Sequence, residues 1–202
     1  DKTGALSAAT LGQGANVQSE WPALLALQLM GAGEAKAEAM VKRYLASASA
    51  KPEVRIAYAR ALVELGRNAE AHTELTRMTQ QAPNAPDAWL VQGALYADER
   101  NYAQAETSLQ RYLDLTAQPA SESGVDRRTG RDQARMMLSR VAERRGDLAR
   151  AEKLLEEVES PDQALAVQVR RADMMARQGK LDAARQAIRS APERGPDDAR
   201  LK

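Results

Sequence analysis

PEVRIAYARALVELGRNAEAHTELTRMTQQAP, residues 52–83, holds two apolar patterns separated by a short break. Tyr58, Leu62 and Leu65 fall at i, i+4 and i+7; Gly66, Arg67 and Asn68 interrupt; Ala71, Leu75, Met78 and Ala82 resume the same spacing. Such spacing is one stripe along a helix, so the stretch predicts a helix, a tight turn and a second helix. Gly66 is suited to a positive φ at the end of the first helix, and Asn68 is placed to cap the second. Pro83 closes the unit. Pro52 opens it, where a missing N–H does no harm and φ is already helical.

The unit recurs. Ala37, Ala71, Ala105, Ala151 and Ala184 are separated by 34, 34, 46 and 33 residues, and each is followed four residues later by a bulky aliphatic: Val41, Leu75, Leu109, Leu155 and Ile188. A fixed period of this size is the signature of a repeated structural unit. Pro86 stands 34 residues after Pro52. Gly146-Asp147 and Gly179-Lys180 supply the same internal turn later, Glu99-Arg100-Asn101 supplies it without glycine, and Gly31-Ala32-Gly33 supplies it at the front. Five helical pairs follow from this register. The physical reason for the pattern is close packing: the alanine leaves room for a partner helix, and the aliphatic one turn on fills the gap beside it.

Composition agrees with an all-α chain. Of 202 residues 44% are hydrophobic and only 3% aromatic, with no Phe, so the core is thin and built from Ala, Leu, Val and Met. Good helix formers dominate and β-branched residues are sparse. The 29 basic and 28 acidic residues nearly cancel, which removes a global field towards nucleic acid or anionic membrane. No Cys is present, excluding disulfides and thiol chemistry without deciding the compartment. The longest apolar run, residues 21–30, contains Pro22 and Gln28 and falls well short of a membrane span. The first residues lack the basic and apolar regions of a signal peptide, and the opening Asp1 suggests a processed or excised piece.

The pattern resembles the tetratricopeptide repeat, whose unit is a 34-residue helix pair with preferred Trp, Leu-Gly, Tyr, Ala and Pro positions. Trp89, Gly93, Tyr96, Tyr102, Ala105 and Leu109 match it in the unit from Pro86. Tyr58, Ala59, Leu62, Gly66, Ala71, Leu75, Met78 and Pro83 match it in the unit from Pro52. Outer units match less fully: Trp21, Leu24, Ala37 and Val41 at the front, Leu138, Ser139, Gly146, Ala151 and Leu155, then Ala172, Met175, Gly179, Ala184 and Ile188, with Arg135 and Gln168 where Trp is favoured. The resemblance implies a right-handed α-solenoid of about five repeats, in which stacking buries the face that no single pair can cover. The expected organisation is a lead-in over 1–17, a single superhelical domain over 18–196 with repeats 18–51, 52–85, 86–131, 132–164 and 165–196, and a further repeat or cap beginning at 197–202. Within the third repeat, residues 117–130 read as a surface insertion, either a partner-binding loop or a tolerated lengthening; the small entropic cost of loop length favours the second.

Catalytic chemistry is not assembled. His72 is the only histidine, which rules out His-pair metal sites within one chain, and it reads as a packing or solvent-facing residue. Glu152, Glu156, Glu157 and Glu159 interleave with Arg150 and Lys153 as an exposed helix side does. Gly12-Gln13-Gly14 and Gly31-Ala32-Gly33 lack the strand and third glycine of a dinucleotide loop. The arginines at 127, 128, 131, 135, 140, 144 and 145 are interrupted by Asp126, Asp132, Glu143 and Asp147, so they read as solvated helix surface and not as a nucleic-acid site. The expectation is a chain that is no enzyme and takes no cofactor or metal.

What the resemblance implies about function is a scaffold whose first helices line a concave groove for a peptide or helix of a partner protein. Carried over by position, the groove candidates are Glu53, Ile56, Arg60, Val63 and Glu64; Asp87, Leu90, Ala94 and Asp98; Gln133, Met136, Arg140 and Arg144; and Val169, Asp173 and Arg177. One subgroup of the family grips carboxylates with Lys and Asn, but Ile56, Arg60, Leu90, Val91, Gln133 and Met137 hold those places here, so a more apolar or helical ligand is expected. The alternative is a structural arm of a longer repeat protein or fused enzyme, or a homodimer formed through the uncapped end. No nucleic-acid partner and no direct membrane span are expected. The Ala-rich, Arg-over-Lys composition resembles proteins of GC-rich bacteria, which points to the periplasm or cell envelope, with the cytoplasm as alternative.

Overall fold

The computed structural model describes residues 20–30, 35–48, 50–117 and 127–189. The expected lead-in, the Gly31-Ala32-Gly33 turn, most of the 117–130 insertion and the segment from 197 lie outside the described residues. Among the described residues the regular structure is all α-helix apart from one short 3-10 turn. The chain divides into two compact units, residues 1–95 and 96–202.

In the first unit, α1 (Trp21–Met30) packs on α2 (Ala35–Leu45), α3 (Pro52–Glu64) packs on α4 (Asn68–Gln81), and α1 also meets α3. Helix α5 (Pro86–Asp98) begins here, and Ala88, Val91 and Leu95 join the same core as Ala37, Val41, Ala59, Leu62, Ala71 and Leu75. The small-residue rule is visible in this core: Ala23, Ala26, Ala37, Ala59 and Ala71 are fully buried. Trp89 donates its indole N–H to the Pro83 carbonyl at 2.9 Å, whereas Trp21, the first residue of α1, stands 74% exposed and joins no core.

The second unit continues with α6 (Tyr102–Leu115), α7 (Arg128–Arg144), α8 (Leu148–Glu156), a 3-10 turn (Pro161–Gln163), α9 (Ala164–Arg177) and α10 (Leu181–Arg189). Successive helices pack on one another, and Ala142, Ala151, Leu155, Val167 and Met174 form a core from α7, α8 and α9. Helix α7 starts at Arg128, so residues 128–130 of the expected insertion are helical. Gly130 permits this, because a Cβ there would run into the hydroxyl of buried Tyr112 on α6.

One turn geometry joins all four fully described helix pairs. Arg67 N–H donates to Leu62 O at 2.8 Å, Asn101 to Tyr96 at 2.8 Å, Asp147 to Ala142 at 2.9 Å and Lys180 to Met175 at 2.9 Å. Each is the six-to-one bond of a Schellman turn, which requires a left-handed residue before the donor. Gly66, Gly146 and Gly179 fill that place at φ +72, +83 and +78, and Arg100 fills it at φ +61. This geometry corrects the expected cap at Asn68: the residue after the left-handed position is the N-cap, so Arg67 takes it and Asn68 is the first helical residue. Where that place holds an aspartate the cap forms, the Asp147 carboxylate accepting from the Arg150 N–H at 3.1 Å.

Candidate interaction surface

The first helices of the pairs, α3, α5, α7 and α9, carry the sequence-derived groove positions. In the first unit Glu53, Arg60 and Glu64 are exposed and Val63, Asp87 and Ala94 half-buried, while Ile56 and Leu90 are each only 8% exposed. Ile56 and Leu90 therefore support the face from beneath and do not offer it. In the second unit Asp98, Gln133, Arg140, Arg144, Asp173 and Arg177 are exposed, Met136 is half-buried and Val169 is 50% exposed. Met136, Arg140 and Arg144 lie at i, i+4 and i+8 on α7, and Val169, Asp173 and Arg177 repeat that spacing on α9, so each trio shares one helix face.

Ion pairs decide which of these charges are available. Glu143, its side chain only 8% exposed, accepts from Arg170 at 2.6 Å and from Arg177 at 2.9 Å, tying α9 to α7. Arg177 also meets Asp173 at 2.8 Å, so two groove candidates satisfy each other. Burial pushes the Arg170 guanidinium down, with the neighbouring Arg140 adding to that and Glu143 opposing it. The dense arginine stretch is divided among several acids: Arg135 meets Asp132 at 3.2 Å and Glu157 at 3.6 Å, Arg131 meets Glu159 at 3.8 Å, and Arg145 pairs with Glu106. Among the described residues Arg60, Arg140 and Arg144 carry no ion pair.

Three polar centres escaped sequence reasoning. Glu38 on α2 accepts from Arg67 at 2.7 and 2.8 Å, from Tyr58 at 3.0 Å and pairs with Lys42 at 2.8 Å. The Arg67 hydrogen bonds, then that of Lys42, hold the Glu38 carboxyl at about 2. Burial, with the Glu38 carboxylate beside it, pushes the Tyr58 phenol to about 12. Asp132 on α7 is fully buried; burial alone would raise its pKa, but hydrogen bonds from Ser160, the Glu159 amide and Arg135 outweigh it and the net shift is downwards. Arg55, at a position where the repeat pattern favours Trp, bonds Glu74 at 2.7 Å and the Leu45 carbonyl at 2.8 Å. Apart from the local pairs Glu38–Lys42 and Asp132–Arg135, no spacing rule signals these contacts, because the partners are far apart in sequence. His72 is half-buried on α4, and among the described residues no cluster of His, Asp or Glu is arranged to hold a metal ion.

The Tetratricopeptide repeat family matches residues 34–95 and again 136–199. The chain belongs to the tetratricopeptide repeat family. Solved structures agree on the fold of this repeat chain: MamA (41-end) from Desulfovibrio magneticus RS-1 is similar at TM-score 0.64 and 15% identity over 82% of this chain and 88% of that one. A thermophilic TPR protein of Thermus thermophilus, TTC0263, is similar at TM-score 0.61 and 19% identity over 91% and 95%. Comparison with curated proteins finds no match. The fold is thus the all-α tetratricopeptide-repeat solenoid, and membership makes this repeat chain a protein-interaction scaffold of a typically non-catalytic family. No helix among its described residues is long and apolar enough to cross a membrane.

Proposed function

We propose that the exposed face of the first helices holds an extended peptide or a helix of a partner protein. The observation that carries this reading is the division of each first helix into two faces. On α3, Val54, Tyr58, Ala59 and Leu62 are buried while Glu53, Arg60 and Glu64 are exposed; on α7, Ala134, Leu138, Ser139 and Val141 are buried while Gln133, Arg140 and Arg144 are exposed. A face of mixed charge with apolar members such as Val169 suits a ligand anchored by a few side chains and oriented by charge. The test is affinity capture from the native host. Arg60→Glu combined with Arg140→Glu is expected to reduce partner recovery by roughly tenfold, the scale of losing oriented charge contacts; undiminished recovery by a folded variant counts against the face.

A second reading rests on a separate observation. An apolar cleft of about 570 Å³ on α9 and α10 is lined by Val169, Ala172, Ala176, Leu181, Ala184 and Ile188, with Leu181 54% exposed. Such a cleft supports pairing with a second copy of the chain. Light scattering over a concentration series is expected to show a dimer that Leu181→Glu returns to monomer; a monomer at every concentration removes this reading.

A further inference from the structure

The two first helices of the second unit differ from those of the first in charge, and that difference specifies a ligand. On the face shared by α7 and α9, Arg140, Arg144, Arg170 and Arg177 stand against two carboxylates, Glu143 and Asp173. Both carboxylates are already engaged: Glu143 by Arg170 and Arg177, Asp173 by Arg177. Arg140 and Arg144 are left exposed, one turn apart, with no ion pair among the described residues. Arg144 in the last turn of α7 interacts favourably with the helix dipole, so its presence has a local reason. Arg140 has none: it faces solvent near the like charge of Arg170, open to an anion. By contrast, on α3 of the first unit Arg60 lies between Glu53 and Glu64.

We propose that the α7–α9 face takes an acidic segment of a partner protein, whose carboxylates reach Arg140 and Arg144. This assignment rests on the groove reading above and names the chemistry of its ligand. Charge complementarity selects the acidic segment. A nucleic acid is disfavoured because neither α7 nor α9 carries an aromatic residue on which a base would stack, and acidic side chains stand among the arginines.

The test uses two labelled synthetic peptides with the same leucine face, one bearing Glu and the other Lys on the opposite face, and a labelled single-stranded oligonucleotide, each titrated against the full chain by fluorescence anisotropy. The acidic peptide is expected to bind at least roughly tenfold more tightly than its Lys counterpart, to weaken as salt rises, and to lose roughly tenfold or more with Arg140→Glu plus Arg144→Glu. Arg43→Glu, exposed on α2 and outside the groove positions, should leave it unchanged, and Arg140→Lys plus Arg144→Lys should retain most binding. Circular dichroism confirms that these exposed substitutions leave the fold intact. Equal binding of the two peptides, binding of neither, indifference to the double reversal, or tighter binding of the oligonucleotide each overturns the assignment. Host capture by the wild-type chain keeps the readings apart: partners still caught through the groove would remove only the acidic preference, whereas loss of capture dependence on groove residues would remove the groove itself.

Discussion

At the residue scale the most informative position is the left-handed one in each turn. A side chain there costs about 1 to 2 kcal/mol, which glycine avoids, although glycine gives back about half of that through its freer unfolded chain. Arg100 carries the cost at φ +61. Arg100→Gly is therefore expected to raise stability by about 0.5 to 1 kcal/mol, read from the urea midpoint. Gly66→Ala should lower it by about 1 kcal/mol. A Cβ at Gly66 meets nothing within 4 Å, so that loss is backbone strain alone. An unchanged midpoint in both would mean the turns do not hold this geometry in solution. The glycine turns were legible in the sequence because each places the same residue at the same point of the unit. The cap was not, because the choice between Arg67 and Asn68 depends on where the turn delivers the chain, a backbone property that residue preference alone does not fix.

Between helices, the recurring alanine and its aliphatic neighbour carry the packing. Ala37, Ala71, Ala105 and Ala151 are fully buried and Ala184 is 7% exposed; Val41, Leu75 and Leu109 are fully buried and Leu155 is 1% exposed. Leu109→Ala on α6 is expected to cost about 2 to 5 kcal/mol by thermal or chemical melting, since the site is enclosed and a cavity is left behind. A wild-type melting curve would show that Leu109 is not core. This framework was readable because packing imposes one demand at one spacing in every unit. The contacts that pin the elements were not readable: Arg67 meets Glu38 across 29 residues and Arg150 meets Glu106 across 44, and neither pairing repeats along the chain. The same limit applied to the candidate surface. Position within the repeat named the first-helix residues, but the burial of Ile56 and Leu90 and the engagement of Arg177 by Glu143 depend on neighbours the period does not specify.

For the molecule as a whole, each unit contains a carboxylate that the fold keeps ionised, and this sets its response to acid. Glu38 in the first unit has its pKa brought from 4.5 to about 2, and Asp132 in the second is shifted below 3.8. The native state binds these protons less readily than the unfolded chain does, so stability rises with pH through the titration. The contribution is complete above the unfolded values and is lost as pH falls from about 4.5 through about 2 for Glu38, and as pH falls below 3.8 for Asp132. Tyr58 works on the other flank: its pKa is raised from 10.0 to about 12, so the native state holds its proton longer and stability declines as pH rises from 10 towards 12. Urea midpoints followed from neutral pH downwards are expected to fall steeply below about pH 4.5 in the wild type. Glu38→Gln should lower the neutral-pH stability by about 1 to 3 kcal/mol, the scale for a partly buried carboxylate bonded to charged partners, and flatten part of that slope. Asp132→Asn should flatten a further part at lower pH, independently of the first, because the two carboxylates share no partner. Parallel acid profiles for the wild type and the double variant would mean that neither carboxylate is held in the native state as its hydrogen bonds indicate.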